Sequence, residues 1–197
     1  MCLILICNSE RPSVDYLEKA SDVNPHGMGI AWFEKKAVRF KKGITQVDDL
    51  FEISSKVKLP YTIHFRMDSV GDKSLTLTHP FPLFTEDLFA LEGEAKAVLF
   101  QNGHWSGYLD IADIITFVDK KKIKTNSDTA VLANLINLYG WQILNHLGIS
   151  SQKICIMEDG VIQITKNFVK DGNFTCSNLN HIHQSYTYYD WYKWRTK

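Results

Sequence analysis

Met1-Cys2-Leu3-Ile4-Leu5-Ile6-Cys7 places a small thiol residue directly before a run of apolar ones. Leu3 to Ile6 predict a buried strand. Such a strand would hold Cys2 rigidly at its end. The side chain of Cys2 is small, so removal of the initiator methionine is expected. One residue would then carry both a thiol and a free α-amine. An unperturbed α-amine titrates at about pH 8. It can take the thiol's proton directly or through a water, pairing nucleophile with base in one residue. The competing reading is a small, buried, apolar cysteine with no chemistry.

Working outward, Asn24-Pro25-His26-Gly27 marks a turn. Met28 to Glu34 predict a strand, and Val38 to Lys41 its hairpin partner. Val47, Leu50, Phe51, Ile53 and Val57 fall on one helix face. Pro60 interrupts, and Thr62 to Arg66 predict a further strand. Ser69 to Pro82 is polar and loop-like. Ala97 to Phe100 predict a short strand that ends in the turn-forming Gln101-Asn102-Gly103. Leu109 to Val118 predict a helix. Ser127-Asp128 cap a longer one, Thr129 to Leu147, stopped by Gly148. Lys153–Met157 and Val161–Lys166 flank Glu158-Asp159-Gly160 as a hairpin. The segment from Phe174 predicts closing strands. Strands, then two helices, then strands give an α+β class rather than regular βαβ alternation.

The 197 residues suit one domain, 1–197, with a substantial core. Hydrophobic residues make up 45% and formal net charge is zero. That balance provides no global field for nucleic acid or an anionic membrane. No apolar stretch approaches the roughly 18 residues of a spanning helix. The opening run is short and lacks a basic flank, so no signal peptide is predicted and a cytoplasmic location is expected. Cys2, Cys7, Cys155 and Cys176 form no CxxC pair and are expected as free thiols.

Three stretches carry candidate chemistry. In His64-Phe65-Arg66-Met67-Asp68-Ser69-Val70-Gly71, Arg66 at a strand end offers a planar fork for a carboxylate, or else a surface salt bridge. In Phe100-Gln101-Asn102-Gly103, the Asn102 amide beside the Gly103 N–H can form an oxyanion-binding pair, or else a plain hairpin turn. In Asn126-Ser127-Asp128-Thr129, Asp128 can receive an ammonium, while Ser127 or Asp128 caps the helix.

In this order, the stretches resemble the class II glutamine amidotransferases, which are N-terminal-nucleophile hydrolases. The resemblance runs from Met1-Cys2 through Asn24-Pro25-His26-Gly27-Met28-Gly29-Ile30-Ala31-Trp32. It continues with His64-Phe65-Arg66 and Gly71, then Thr78-His79-Pro80-Phe81, Gln101-Asn102-Gly103 and Ser127-Asp128-Thr129. It implies a four-layer αββα sandwich. It also implies hydrolysis of L-glutamine to glutamate and ammonia through a thioester on Cys2, with no metal or organic cofactor. Asn102 and Gly103 would stabilise the oxyanion. Arg66 would hold the substrate α-carboxylate and Asp128 its α-ammonium, with Ser69 and His79 completing the substrate site. The ammonia would pass to a synthase subunit in trans, and a homo-oligomer is compatible with this reading. The chain departs from the family pattern at Ser69-Val70, where Thr-His is frequent, and at His26, Gln101 and Ala130. Alternatives are an N-terminal-cysteine acylase acting on another amide, and a non-catalytic binding module on the same fold.

Other features point elsewhere only weakly. His181 and His183 would share one face of a strand near Cys176, but their spacing matches no zinc pattern. Lys120-Lys121-Lys122 with Lys124 reads as a solvated loop. The aromatic run Tyr186, Tyr188, Tyr189, Trp191, Tyr192 and Trp194 reads as packing against the sheet or a partner subunit.

Overall fold

Leu3–Cys7 is a strand, β1, with every residue buried. In the computed structural model it lies third in a seven-stranded antiparallel sheet. The structure describes residues 1–67, 74–119, 125, 127–149 and 152–183. Ser69, the lysine run at 120–124 and the aromatic run from Tyr186 lie outside them.

The elements follow in order as α1 (Val14–Val23), β2 (Met28–Glu34), β3 (Ala37–Ile44), α2 (Val47–Lys56) and β4 (Tyr61–Phe65). Then come β5 (Phe81–Leu83), β6 (Glu92–Ala95), β7 (Ala97–Asn102), α3 (Tyr108–Asp119) and α4 (Asp128–Tyr139). The last are β8 (Lys153–Glu158), β9 (Val161–Ile164), β10 (Val169–Asp171), β11 (Phe174–Cys176) and α5 (Asn180–His183). The large sheet runs β10-β11-β1-β4-β2-β3-β6, and a four-stranded sheet runs β5-β7-β8-β9.

Side-chain alternation divides the core into layers. Leu3, Leu5 and Cys7 turn outward with Tyr61, Ile63 and Phe65 and pack against Leu17, Ala20 and Leu50 of α1 and α2. Ile4 and Ile6 turn inward and meet Val98, Phe100, Cys155 and Met157 of the small sheet. The opposite face of that sheet, with Ala97, Leu99 and Ile154, packs on Ala130, Leu132, Ala133 and Ile136 of α4. A helix face apolar nearly all round is what such burial requires.

Local chemistry sets the element ends. The Ser13 hydroxyl accepts the Tyr16 N–H and caps α1. α2 carries Asp48 and Asp49 in its first turn and Lys56 in its last, complementing its dipole. Asp159 (φ 50°) and Gly160 (φ 77°) make the β8–β9 hairpin expected at that pair.

Three expectations are corrected. The helix predicted to Leu147 ends at Tyr139, because Gly140 adopts φ 75° and donates its N–H to Ile136 O. Trp141–Asn145 then form a separate 3₁₀ turn. Gln101 and Asn102 are not a hairpin turn; they extend β7, paired with Ile154 and Lys153 of β8. The partner strand comes from some fifty positions on, so the chain leaves Gly103 toward α3 instead of folding back. His181 lies in a one-turn helix rather than a strand.

Candidate functional site

Antiparallel register places the nucleophile candidate. β1 pairs with β4 so that Leu3 faces Phe65, which puts Cys2 opposite Arg66. Both residues lie one position beyond the ladder. The Met67 N–H donates to Cys2 Sγ at 3.4 Å, and the thiol lies 3.6 Å from Met67 O. Cys2 is half-buried, whereas the other three cysteines are fully buried. Burial pushes the Cys155 thiol up to about 12 and Cys176 up to about 11, and raises Cys7 further. A thiolate is the reactive form, so these three are chemically quiet.

Asn102 arrives from the other sheet. It alternates with Val98 and Phe100, so its side chain faces inward, while Gln101 faces α4. Asn102 is buried, and it contacts the Ser177 hydroxyl at 2.8 Å. Ser177 Oγ also accepts the Ile4 N–H at 2.9 Å, while the Ser177 N–H returns to Ile4 O. The neighbouring Asn178 amide donates to Cys2 O at 2.7 Å. Lys153, the cross-strand partner of Asn102, donates its ammonium to Ser177 O. Ser177 and Asn178 therefore join Cys2 to Asn102. Sequence reasoning missed them, because their placement depends on β11 lying beside β1.

Arg66 is buried and donates from Nη1 to Ser74 O at 2.9 Å. Its backbone is fixed by the turn before β2: Arg66 N–H donates to Gly27 O, and His26 N–H to Arg66 O. That turn explains its glycines. Gly27 has φ 106°, and a Cβ there would lie 2.8 Å from Thr78. At Gly29 a Cβ would fall 2.0 Å from His79 O. The two glycines thus admit the 78–79 segment against the sheet.

His79 sits deep in this crossing. Its Nδ1 accepts the Gln101 N–H at 3.2 Å, and its ring stacks on His64 at 4.0 Å. This geometry steadies the end of β7. Burial, then the positive charge of Arg66, lowers His64 to about 3. Burial and its basic neighbours lower His79 as well, so both rings are neutral near pH 7.

Asp128 opens α4, and the helix cap is Ser127, whose hydroxyl accepts the Ala130 N–H. The Asp128 carboxylate accepts N–H groups from Thr129 at 2.8 Å and Trp105 at 3.0 Å. The amide of Gln101 and the ring of His104 approach it at 3.5 and 3.7 Å. Asp128 thus ties down the loop after Gly103. Gly103 itself has φ 152°, and a Cβ there would overlap the Gln152 side chain.

His181 does meet Cys176, with Asp171, and the three donor atoms lie within 4.8 Å of one another. The Tyr16 hydroxyl stands among them, 2.7 Å from both Asp171 and His181 and 3.6 Å from Cys176. The donors are spent on that hydroxyl, and the group ties α1 and α5 to the sheet edge.

Against solved structures, 92% of this chain superposes on glutamine phosphoribosylpyrophosphate (PRPP) amidotransferase from B. subtilis, with TM-score 0.61 and 18% identity. The chain is similar in fold to PRPP amidotransferase. A second structure, described as the allosteric regulatory enzyme of purine biosynthesis, gives TM-score 0.60 and 17% identity over the same share. This chain spans 42% of the length of each. No protein-family model matches the chain, and no curated protein matches it in sequence. The likeness to PRPP amidotransferase is therefore one of fold. Among the described residues, no helix is long and apolar enough to cross a membrane.

Proposed function

We propose that this chain is a glutamine amidotransferase-type domain that hydrolyses L-glutamine to glutamate and ammonia. The observation that carries this reading is the convergence of Cys2 and Asn102, from opposite sheets, on the Ser177-Asn178 pair. The amidotransferase fold supports it. The layering of helices, two sheets and helix reads as the αββα sandwich of N-terminal-nucleophile hydrolases.

Once Met1 is removed, the Cys2 thiol loses its proton to its own α-amine. The sulfur attacks the side-chain amide carbon of glutamine. The Asn102 amide and the Gly103 N–H receive the developing oxyanion, and one such donor is worth about 2.7–4 kcal/mol of barrier. The ammonium formed on the α-amine returns its proton to the departing ammonia, leaving a γ-glutamyl thioester. Water attacks the thioester carbon, glutamate leaves, and the thiol is restored. Arg66 binds the α-carboxylate and Asp128 the α-ammonium, selecting the free amino acid. His79 supports this site by holding β7, and Ser69 is assigned to substrate binding from the motif alone. The ammonia goes to a synthase carried on another chain, in the cytoplasm.

The test is the processed protein with Cys2→Ala. Glutamine hydrolysis should fall by about 10³-fold or more while the melting temperature holds. A glutamine-mimicking diazoketone should add one label, on Cys2. Labelling at Cys7, Cys155 or Cys176 would overturn the assignment, as would turnover of an unrelated amide in preference to glutamine.

A further inference from the structure

We infer that Ser177 is a positioning residue that sets which end of the Asn102 amide faces the reacting centre. The inference rests on Cys2 as nucleophile and Asn102 as oxyanion donor.

The Asn102 amide meets Ser177 Oγ at 2.8 Å through one end, assigned as Nδ2, and its other end, Oδ1, is buried without a hydrogen-bond partner among the described residues. The Ile4 N–H is a donor under all conditions, and it already occupies one lone pair of Ser177 Oγ at 2.9 Å. A serine hydroxyl still has one hydrogen and one further lone pair to place. The 2.8 Å contact therefore fits either orientation of the amide. In one, Ser177 accepts from Nδ2, and a buried carbonyl oxygen is stranded. In the other, Ser177 donates its hydrogen to Oδ1, and the NH₂ becomes the group left unspent. Each orientation leaves one buried end of the amide without a protein partner, but only the second leaves donors for a developing negative charge.

The second orientation is the one the chemistry needs. An NH₂ held free beside the nucleophile waits for an acceptor that forms only in the transition state, which is what an oxyanion provides. Ser177 is held at three points, one on its hydroxyl and two on its backbone. Ile4 fixes Oγ, Lys153 grips the Ser177 carbonyl, and the Ser177 N–H bonds Ile4 O. A side chain so constrained can turn the Asn102 amide one way and keep it there. Asn178 does the matching task for the nucleophile by holding the Cys2 carbonyl.

Two measurements test this. In steady-state glutamine hydrolysis, Ser177→Ala should lower kcat about tenfold or more, short of the 10²–10³ lost with an oxyanion donor itself. KM should stay within about twofold. Ser177→Thr, which keeps the hydroxyl, should restore kcat. Adding Ser177→Ala to Asn102→Ala should cause no further loss, because the two act as one unit. Full activity in Ser177→Ala, or no rescue by threonine in a folded variant, overturns the inference. The second measurement needs no substrate. In a neutron structure of the free protein, the Ser177 deuteron should lie on Asn102 Oδ1, with both amide deuterons on the unpaired side. A deuteron on Ser177 directed anywhere else overturns it. If the wild-type protein hydrolyses no glutamine, the functional proposal falls, and the neutron result still decides the amide orientation.

Discussion

The two ends of the candidate site are built differently. At one end Cys2 and Arg66 flank the paired strands β1 and β4, Asn102 ends β7 of the other sheet, and the ladders set where they lie. At the other end Asp128 stands on the first residue of a helix, and its carboxylate already accepts N–H groups from Thr129 and Trp105. Strand pairing fixes where a residue sits through backbone hydrogen bonds, without drawing on the side chain's polar atoms to hold it. The helix end fixes its carboxylate by using it. The strand-built end is therefore the more rigid, and the helix-built end carries a structural duty along with any role in binding.

The largest expected effect falls on the strand-built end. Gly29→Ala would force a Cβ to within 2.0 Å of His79 O, a backbone atom that cannot step aside cheaply. Stability should drop by about 3 kcal/mol, the upper range for overpacking, measured by urea unfolding. Arg66 and His79 should be displaced together. A variant as stable as wild type would mean that the 78–79 segment moves freely, and the contrast in rigidity would be lost.

Next comes pH. His64 titrates near 3 when folded and near 6.5 when unfolded. The unfolded chain therefore takes up a proton that the folded one refuses. Stability from this burial is fully present above about pH 6.5 and is lost as pH falls toward 3. The slope is about 1.4 kcal/mol per pH unit for one histidine. His79, shifted the same way, steepens it. Urea melts between pH 7.5 and 5 should show this slope, and His64→Leu should reduce it by about one proton. An unchanged slope would place the acid sensitivity elsewhere.

The smallest effect separates the two duties of Asp128. Asp128→Asn keeps an oxygen for the Trp105 N–H and removes the charge. With glutamine as substrate, KM should rise about tenfold or more, worth about 1.4 kcal/mol or more, while the unfolding midpoint barely moves. An unchanged KM would leave Asp128 as a loop anchor alone.

Legibility in the sequence follows the same division. Buried strands could be read because Leu3–Ile6 and Ala97–Phe100 are short uninterrupted apolar runs, but such runs do not say which residue faces which layer. Gly27 and Gly29 could be flagged as a turn, but not as the place where residues 78–79 cross the sheet. Asn102-Gly103 was misleading, since the dipeptide favours a tight turn locally and the β8 ladder overrides that preference. The apolar run from Thr129 predicts a longer helix than the chain forms, because Gly140 inside it is ambiguous until its φ is known. Ser177 and Asn178 carried no local signal. Their meaning arises only from pairing with a strand 170 residues earlier, which local patterns do not encode.

The bond between Ile4 and Ser177 spans 173 positions of the chain, and that between Cys2 and Asn178 spans 176. The thiol residue is the first part of the site to be synthesised, and its supports are nearly the last. At translation rates of about 5–20 residues per second, β1 must wait on the order of ten seconds or more for β11. Non-local pairing of this kind also slows the search for the folded state. The nucleophile thus acquires its full surroundings only after almost the whole described chain has been made. A prematurely terminated product would carry the cysteine without the site.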